Sequence, residues 1–140
     1  MIVLIDSNVV LDVLLNRHPF SEDSFVVFQL ANLERFTGYV SASAVTDIFY
    51  ISQKKLGKKG AKEAIKHMLR IYYPATVTDK DIYKALDLTW DDFEDSVQFT
   101  VGERLSVDYI ITRDTQHFSS GSIPAVTPEQ FIPIIAEGSW

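Results

Sequence analysis

Along the chain, short β-rich apolar runs alternate with stretches in which apolar residues recur at helical spacing. That alternation predicts an α/β protein whose sheet carries helices on both faces. The first run, IVLID (2–6), is continuously apolar up to its aspartate, which predicts a strand covered on both sides rather than one with a wet face. A helix follows at once, capped by Asn8 or Ser7, with Val9, Val10, Val13 and Leu14 at helical spacing, and it stops at Arg17-His18-Pro19. A second helix is predicted from Ser21 to about Leu33, with Phe25, Val26, Phe28 and Leu30 as its stripe. The text TGYVSA (37–42) then reads as a second strand.

Ser43 is the expected cap of the next helix, which carries Val45, Ile48 and Phe49. Helical text continues over 60–71 until Tyr73-Pro74 stops it. ATVT (75–78) predicts a short strand, and Asp79 the cap of a helix bearing Ile82, Tyr83 and Leu86. DDFEDSVQFTVGERL (91–105) opens with four carboxylates in five positions and turns apolar at Val97, Phe99 and Val101, while DYIIT (108–112) is a further strand. The last helix is announced by Thr127-Pro128-Glu129-Gln130, a cap, a proline at the first helical position and the glutamine of a capping box. No Gly/Ser-rich linker or repeat intervenes, so residues 1–140 are expected to form one domain, burying roughly two thirds of the surface of the unfolded chain.

Composition changes this picture little. With 46% hydrophobic and 23% charged residues the chain is expected to be globular rather than disordered. It has no cysteine, hence no disulfide and no thiolate chemistry, which suits a reducing compartment and favours the cytoplasm. Neither a signal peptide nor an apolar run near the ~20 residues of a membrane span is expected. Charge distribution is more informative. Residues 54–70 hold seven basic side chains against Glu63 alone, a local +6 that leaves −12 for the remainder of a chain of net charge −6. Such a segment is either a solvated helical face or a landing surface for phosphates or an acidic partner.

Two acids follow predicted strands, Asp6 after the first and Asp114 after DYIIT, and loops at the carboxyl ends of parallel strands form the binding crevice of an open sheet. Asp47, after the second strand, and the group Asp92, Glu94 and Asp95, at a helix start, can reach the same rim. Taken singly, Asp6 reads as a helix cap, Asp114 as a turn residue and Asp47 as an exposed helical acid; together they suggest a site. Clustered carboxylates repel one another unless a cation sits among them. Oxygen donors without cysteine or clustered histidine select a hard ion, Mg2+ or Mn2+, and such an ion suits hydrolysis of phosphoesters.

The ordered set D-S-N-V, T-D-I-F-Y, D-F-E-D-S-V-Q and I-T-R-D-T-Q-H-F resembles the PIN-domain nucleases, including the toxin ribonucleases of bacterial toxin-antitoxin pairs, from Ile2 through Phe131. The resemblance implies a three-layer α/β/α sandwich with a mostly parallel central sheet. It implies a Mg2+ or Mn2+ site of three or four acids that cleaves single-stranded RNA and leaves a 5′-phosphate. Carried over position by position, the catalytic acids are Asp6, Asp47, Asp95 and Asp114, with Asp6, Asp95 and Asp114 as metal ligands and Asn8 and Thr112 orienting ligands or water. These nucleases often carry glutamate where this chain has Asp47, about one methylene shorter, which makes Asp47 a helper rather than a direct ligand. At the third position Asp95 ranks before Asp92 and Glu94, because Asp92 and Asp95 share a helical face while Glu94 points elsewhere unless the helix starts later.

In this reading Lys58, Lys59 and Lys62 guide RNA, while the scattered His18, His67 and His117 are surface or packing residues. Tyr72, Tyr73, Phe49, Tyr50 and Trp90 are aromatics that could stack on bases but are read first as core or interface, and Trp140 as a frayed or randomly packed terminal residue. Phe20, Phe25, Phe28, Phe49 and Tyr50 are apolar residues that one small sheet leaves uncovered, so a homodimer or an antitoxin groove is expected. Two other classes compete. An aspartate-nucleophile phosphatase starts with a similar strand but needs an acid where Asn8 stands and a lysine near the later motifs. A non-catalytic protein-binding module of the same fold would retain the scaffold without the chemistry.

Overall fold

The computed structural model describes residues 1–137, so Trp140 lies outside the described residues. Ile2–Ile5 forms β1, the centre of a five-stranded sheet. On one side of it lie β2 (Thr37–Ser41) and then β3 (Tyr73–Ala75), on the other β4 (Tyr109–Ile111) and then β5 (Ala125–Val126), and every ladder is parallel. Strand order 3-2-1-4-5 means that the chain winds outward from β1 in one direction, then returns across it to β4. The direction of winding reverses between β1 and β4, which is where an open parallel sheet leaves a crevice at its carboxyl edge.

Continuous apolar text in the central strands is explained by what covers them. Val3, Ile5 and Ile111 point into one core with residues of α1 (Ser7–Leu14), α2 (Ser21–Asn32), α3 (Ala42–Met68) and α6 (Pro128–Glu137). Leu4 and Ile110, the intervening positions, pack on Phe99 of α5 (Phe93–Leu105), against which α4 (Asp79–Asp87) is laid. Helices therefore cover both faces, as the alternation predicted.

Several boundaries differ from the pattern reading, each for a local reason. Asp6 rather than Ser7 or Asn8 occupies the N-cap position of α1, although its side chain makes no capping bond. Ser41, not Ser43, caps α3 by accepting from Ala44 N. Thr78, not Asp79, caps α4 in a reciprocal box with Asp81, which removes Thr78 from strand pairing and leaves β3 at Tyr73–Ala75 instead of 75–78. Pro74 is tolerated there because β3 is an edge strand. The two helical stretches read between 43 and 71 form one rod kinked at Gly57, whose φ of 75° a residue with a side chain rarely adopts. On α2 the buried set is Ser21, Ser24, Val27, Phe28 and Ala31, so Phe28 is core while Phe25 and Val26 stay exposed. The capping box of α6 is as expected, Gln130 N donating to Thr127 Oγ1 and Thr127 N to Gln130 Oε1. β5 and a 3-10 turn at 115–118 were not foreseen; two residues and four are too short to show a period.

Gly38 in β2 faces the buried ring of Tyr72, and a Cβ there would sit 2.6 Å from Cδ1. Tyr72 cannot withdraw, being packed edge-on against Phe28 at 5.2 Å. Gly38→Ala is therefore expected to lower stability by about 1–3 kcal/mol. A denaturant midpoint indistinguishable from wild type would contradict this packing.

Candidate active site

Asp6 stands at the carboxyl end of the central strand, only 4% exposed. A buried carboxylate needs donors, and three side chains supply them. Thr112 Oγ1, just beyond β4, donates to Oδ2 at 2.8 Å; Gln98 Nε2, in the middle of α5, donates to Oδ1 at 3.2 Å; Ser7 Oγ approaches Oδ1 at 3.4 Å. The backbone is tied as well, Asp6 N donating to Ile111 O at 2.9 Å. Because the carboxylate is turned to these partners, α1 starts without a side-chain cap. Thr112 Oγ1 also accepts from Asp114 N at 3.0 Å, so one hydroxyl links the two acids that follow β1 and β4.

The other acids arrive on helices. α5 starts at Phe93 with Asp92 as N-cap, its Oδ1 accepting from Asp95 N at 3.0 Å. The helix does start later than Asp92, and Glu94 consequently turns toward Asp47 rather than away. Asp6, Asp47, Asp92, Glu94, Asp95 and Asp114 all line one cleft of about 380 Å3, together with Asn8 and His117. Among the described residues no lysine or arginine lines it. The crowding shows in proton affinity. Burial, then Asp47, Asp6 and Asp92, push Glu94 up to about 7; burial, then Asp92 and Asp6, push Asp95 up to about 6 against the opposing effect of His117.

The structure thus brings together every acid singled out from the sequence, with Asn8 and Thr112. It does not bring Lys58, Lys59 or Lys62 to the cleft; they are exposed on α3 beyond the Gly57 kink. Sequence reasoning missed Gln98 and Ser7 as donors to Asp6. A glutamine amid the apolar positions of α5 is the one signal that was available. His117, read as a surface or packing residue, places Nδ1 3.2 Å from Asp95 Oδ2. Also missed was the ion pair behind the site. Asp12, fully buried on α1, lies 2.9 Å from Arg113 Nε and 3.7 Å from Arg17, and burial raises its proton affinity against the pull of both guanidiniums. Arg113 also stacks over Phe20 at the start of α2, so it ties the loop carrying Thr112 and Asp114 both to α1, through Asp12, and to α2.

The donor set is all oxygen and strongly anionic, which suits a hard divalent cation. Among the described residues no three such side chains are drawn in closely enough to grip one ion directly.

Comparison with known proteins agrees with this fold. The family model described as PIN domain matches residues 2–116. Ribonuclease VapC1 of Aquifex aeolicus is 25% identical over 134 residues, covering 92% of each chain. Among solved structures, VapBC2 from Rickettsia felis, bound to a DNA fragment from its promoter, aligns with a TM-score of 0.70 at 14% identity over 90% of this chain and 97% of the other. Mycobacterium tuberculosis VapC20, a toxin that cleaves the sarcin-ricin loop, aligns at 0.68 and 13% identity over 85% and 95%.

The shifted carboxyls set a stability profile for the metal-free protein. A carboxyl whose folded pKa is raised keeps in the native state a proton that the unfolded chain releases, so stability is highest below the ordinary values near 4 and falls as pH rises through about 6 to 7. Thermal melts in a chelator should show this decline between pH 5 and pH 8, and Glu94→Gln should flatten most of it. An equal slope in the variant would remove Glu94 from the cluster.

Proposed function

Since this chain belongs to the PIN-domain family, we propose that it is a divalent-metal-dependent endoribonuclease, using Mg2+ or Mn2+, that hydrolyses phosphodiester bonds of single-stranded RNA. The observation that carries the proposal is the convergence of six carboxylates from the end of β1, α3, the start of α5 and the loop after β4 on a cleft that, among the described residues, no lysine or arginine lines. Asp6, Asp95 and Asp114 would hold the cation, in part through its bound waters, with Asp47 and Glu94 as helpers. Such a cation polarises a phosphoryl oxygen and lowers the pKa of the attacking water. This chain's own residues do the positioning. Gln98 and Thr112 hold Asp6 by hydrogen bonds to its two oxygens, and His117 holds Asp95. The phosphatase reading fits poorly. Asp6 is buried with both oxygens already hydrogen-bonded, which makes it a weak nucleophile, and Asn8 is not an acid.

The similarity to VapC1 and to VapBC2 supports a toxin of a toxin-antitoxin pair, with an antitoxin protein as partner. Phe20, Phe25, Val26 and Leu33 remain exposed on and around α2, and Tyr50 and Ile51 beside the acidic cleft. Apolar surface of this kind suits a homodimer or an antitoxin segment, and a partner seated on Tyr50 and Ile51 would also obstruct the acids.

Asp6→Asn tests the central claim. It should reduce metal-dependent cleavage by about 100-fold or more while preserving the fold. Gln98 Oε1 is buried without a partner, so the Gln98 amide can turn over and accept from the new amide. Wild-type cleavage, or an unfolded variant by circular dichroism, would defeat the assignment.

Neutralising Lys58, Lys59 and Lys62 together tests substrate guidance. The slope of log affinity against log salt should fall by about 2 for single-stranded RNA, while single-turnover cleavage of bound RNA stays nearly unchanged. An unaltered slope would leave these lysines as a solvated face.

A further inference from the structure

A second cavity, of about 540 Å3, opens beside the acidic cleft and shares Asp92, Asp95 and His117 with it. Its apolar wall is Trp90. One flank of the indole is pressed on Phe99, with centroids 4.7 Å apart, and meets Phe118 edge-on at 5.9 Å, both of those rings being buried. Phe99 cannot yield, because the backbone of Gly121 closes over it so tightly that a Cβ there would fall 2.4 Å from the ring. Trp90 is thus a rigid, half-buried aromatic plate whose open side lines a solvent-filled cavity.

Facing it are Thr89, Gln116 and Ser120, whose side chains make no hydrogen bond among the described residues, and Asp91, exposed and likewise without a partner. Among the described residues no lysine or arginine lines the cavity, and its one imidazole, His117, is turned to Asp95 at 3.2 Å, so a phosphate is disfavoured there while a neutral ring is not. A flat aromatic surface with unpaired polar groups at its margin is how proteins seat a splayed nucleobase. The acceptor-only carboxylates of Asp91 and Asp92 add a preference, since they can receive hydrogen bonds from exocyclic amino groups but give none to a carbonyl.

We propose that this cavity is a nucleobase subsite, in which Trp90 stacks one base of the substrate strand beside the scissile phosphate and the acidic margin selects a base bearing an amino group. The placement beside a scissile phosphate rests on the nuclease reading above; base binding itself does not. It would make the residue flanking the cut adenine, cytosine or guanine in preference to uracil.

Ribonucleosides test the subsite directly, because they carry no phosphate and cannot be cleaved. Adenosine, cytidine, guanosine and uridine are titrated into the full chain carrying Trp140→Phe, so that Trp90 alone reports by indole fluorescence. Saturable quenching by the amino-bearing nucleosides is expected, with uridine weaker by about fivefold or more. Asp91→Asn should narrow that gap, and Gln116→Ala should weaken binding of all four. Both side chains are exposed, so folding is not at stake. In parallel, wild-type protein is incubated with random-sequence single-stranded RNA, and cut ends should show depletion of uracil at one flanking position. Quenching without cleavage would keep the base site and refute the nuclease reading. Cleavage with neither quenching nor a flanking bias would overturn the subsite, as would uridine binding as well as the others.

Discussion

A carboxylate buried at the end of the central strand must be met by donors from elsewhere in the chain, and much of the site depends on how Asp6 is met. Thr112 reaches it from the end of β4 and Gln98 from the middle of α5, while its own backbone N–H pairs with Ile111. These contacts tie three elements far apart in sequence to one point. They lie where the winding of the sheet reverses, so a crevice is left open above them. Losing a buried charge-assisted hydrogen bond costs more than an exposed one contributes, and the geometry around Asp6 is correspondingly constrained.

The same cleft gathers charge that the fold has to tolerate. Glu94 and Asp95 hold protons to higher pH than free carboxyls do, because burial and their acidic neighbours oppose ionisation. Behind the cleft the opposite arrangement prevails. Asp12 is flanked by Arg113 and Arg17, so the one fully buried acid of α1 faces two guanidiniums while the acids of the cleft face only His117. Arg113 is the residue between Thr112 and Asp114, and its pairing with Asp12 fixes the loop that supplies both. A compensated pair thus lies beneath a cluster in which His117, beside Asp95, is the only positive counterweight among the described lining residues.

Much of this architecture was legible in the chain. IVLI and YII are uninterrupted apolar runs because helices cover both faces of the sheet, whereas a strand with one wet face would alternate apolar and polar residues. The box at Thr127 and Gln130 is a local motif whose bonds close within four residues, so it could be read without knowing anything else. Caps failed where two candidates stood side by side. Ser41 and Ser43 both suit the start of α3, and Thr78 and Asp79 that of α4, and the choice went to the residue that the preceding strand leaves in extended conformation. The stripe of α2 was read only in part: Phe28 and Leu30 pack inward and Phe25 and Val26 do not, because helices α1 and α6 lie against a face that also takes Ser21, Ser24 and Ala31, small side chains that a count of large apolar residues passes over.

From the sequence alone came the α/β class, the parallel central sheet, and the acids at strand ends and helix starts, because periodicity and local spacing are properties of neighbours in the chain. Tertiary structure alone decided that Gln98 and Thr112 hold Asp6, that Glu94 faces Asp47, that His117 touches Asp95, and that Asp12 and Arg113 pair beneath the loop. Those contacts join residues on different elements, some about a hundred positions apart, and no local pattern encodes which side chains meet once a sheet has ordered its strands. Charge followed the same division. The basic run at 54–70 was plain in the text, but only the fold showed that Lys58, Lys59 and Lys62 lie beyond the kink at Gly57, outside the lining of the acidic cleft, since a single left-handed residue redirects a helix that spacing alone would continue straight.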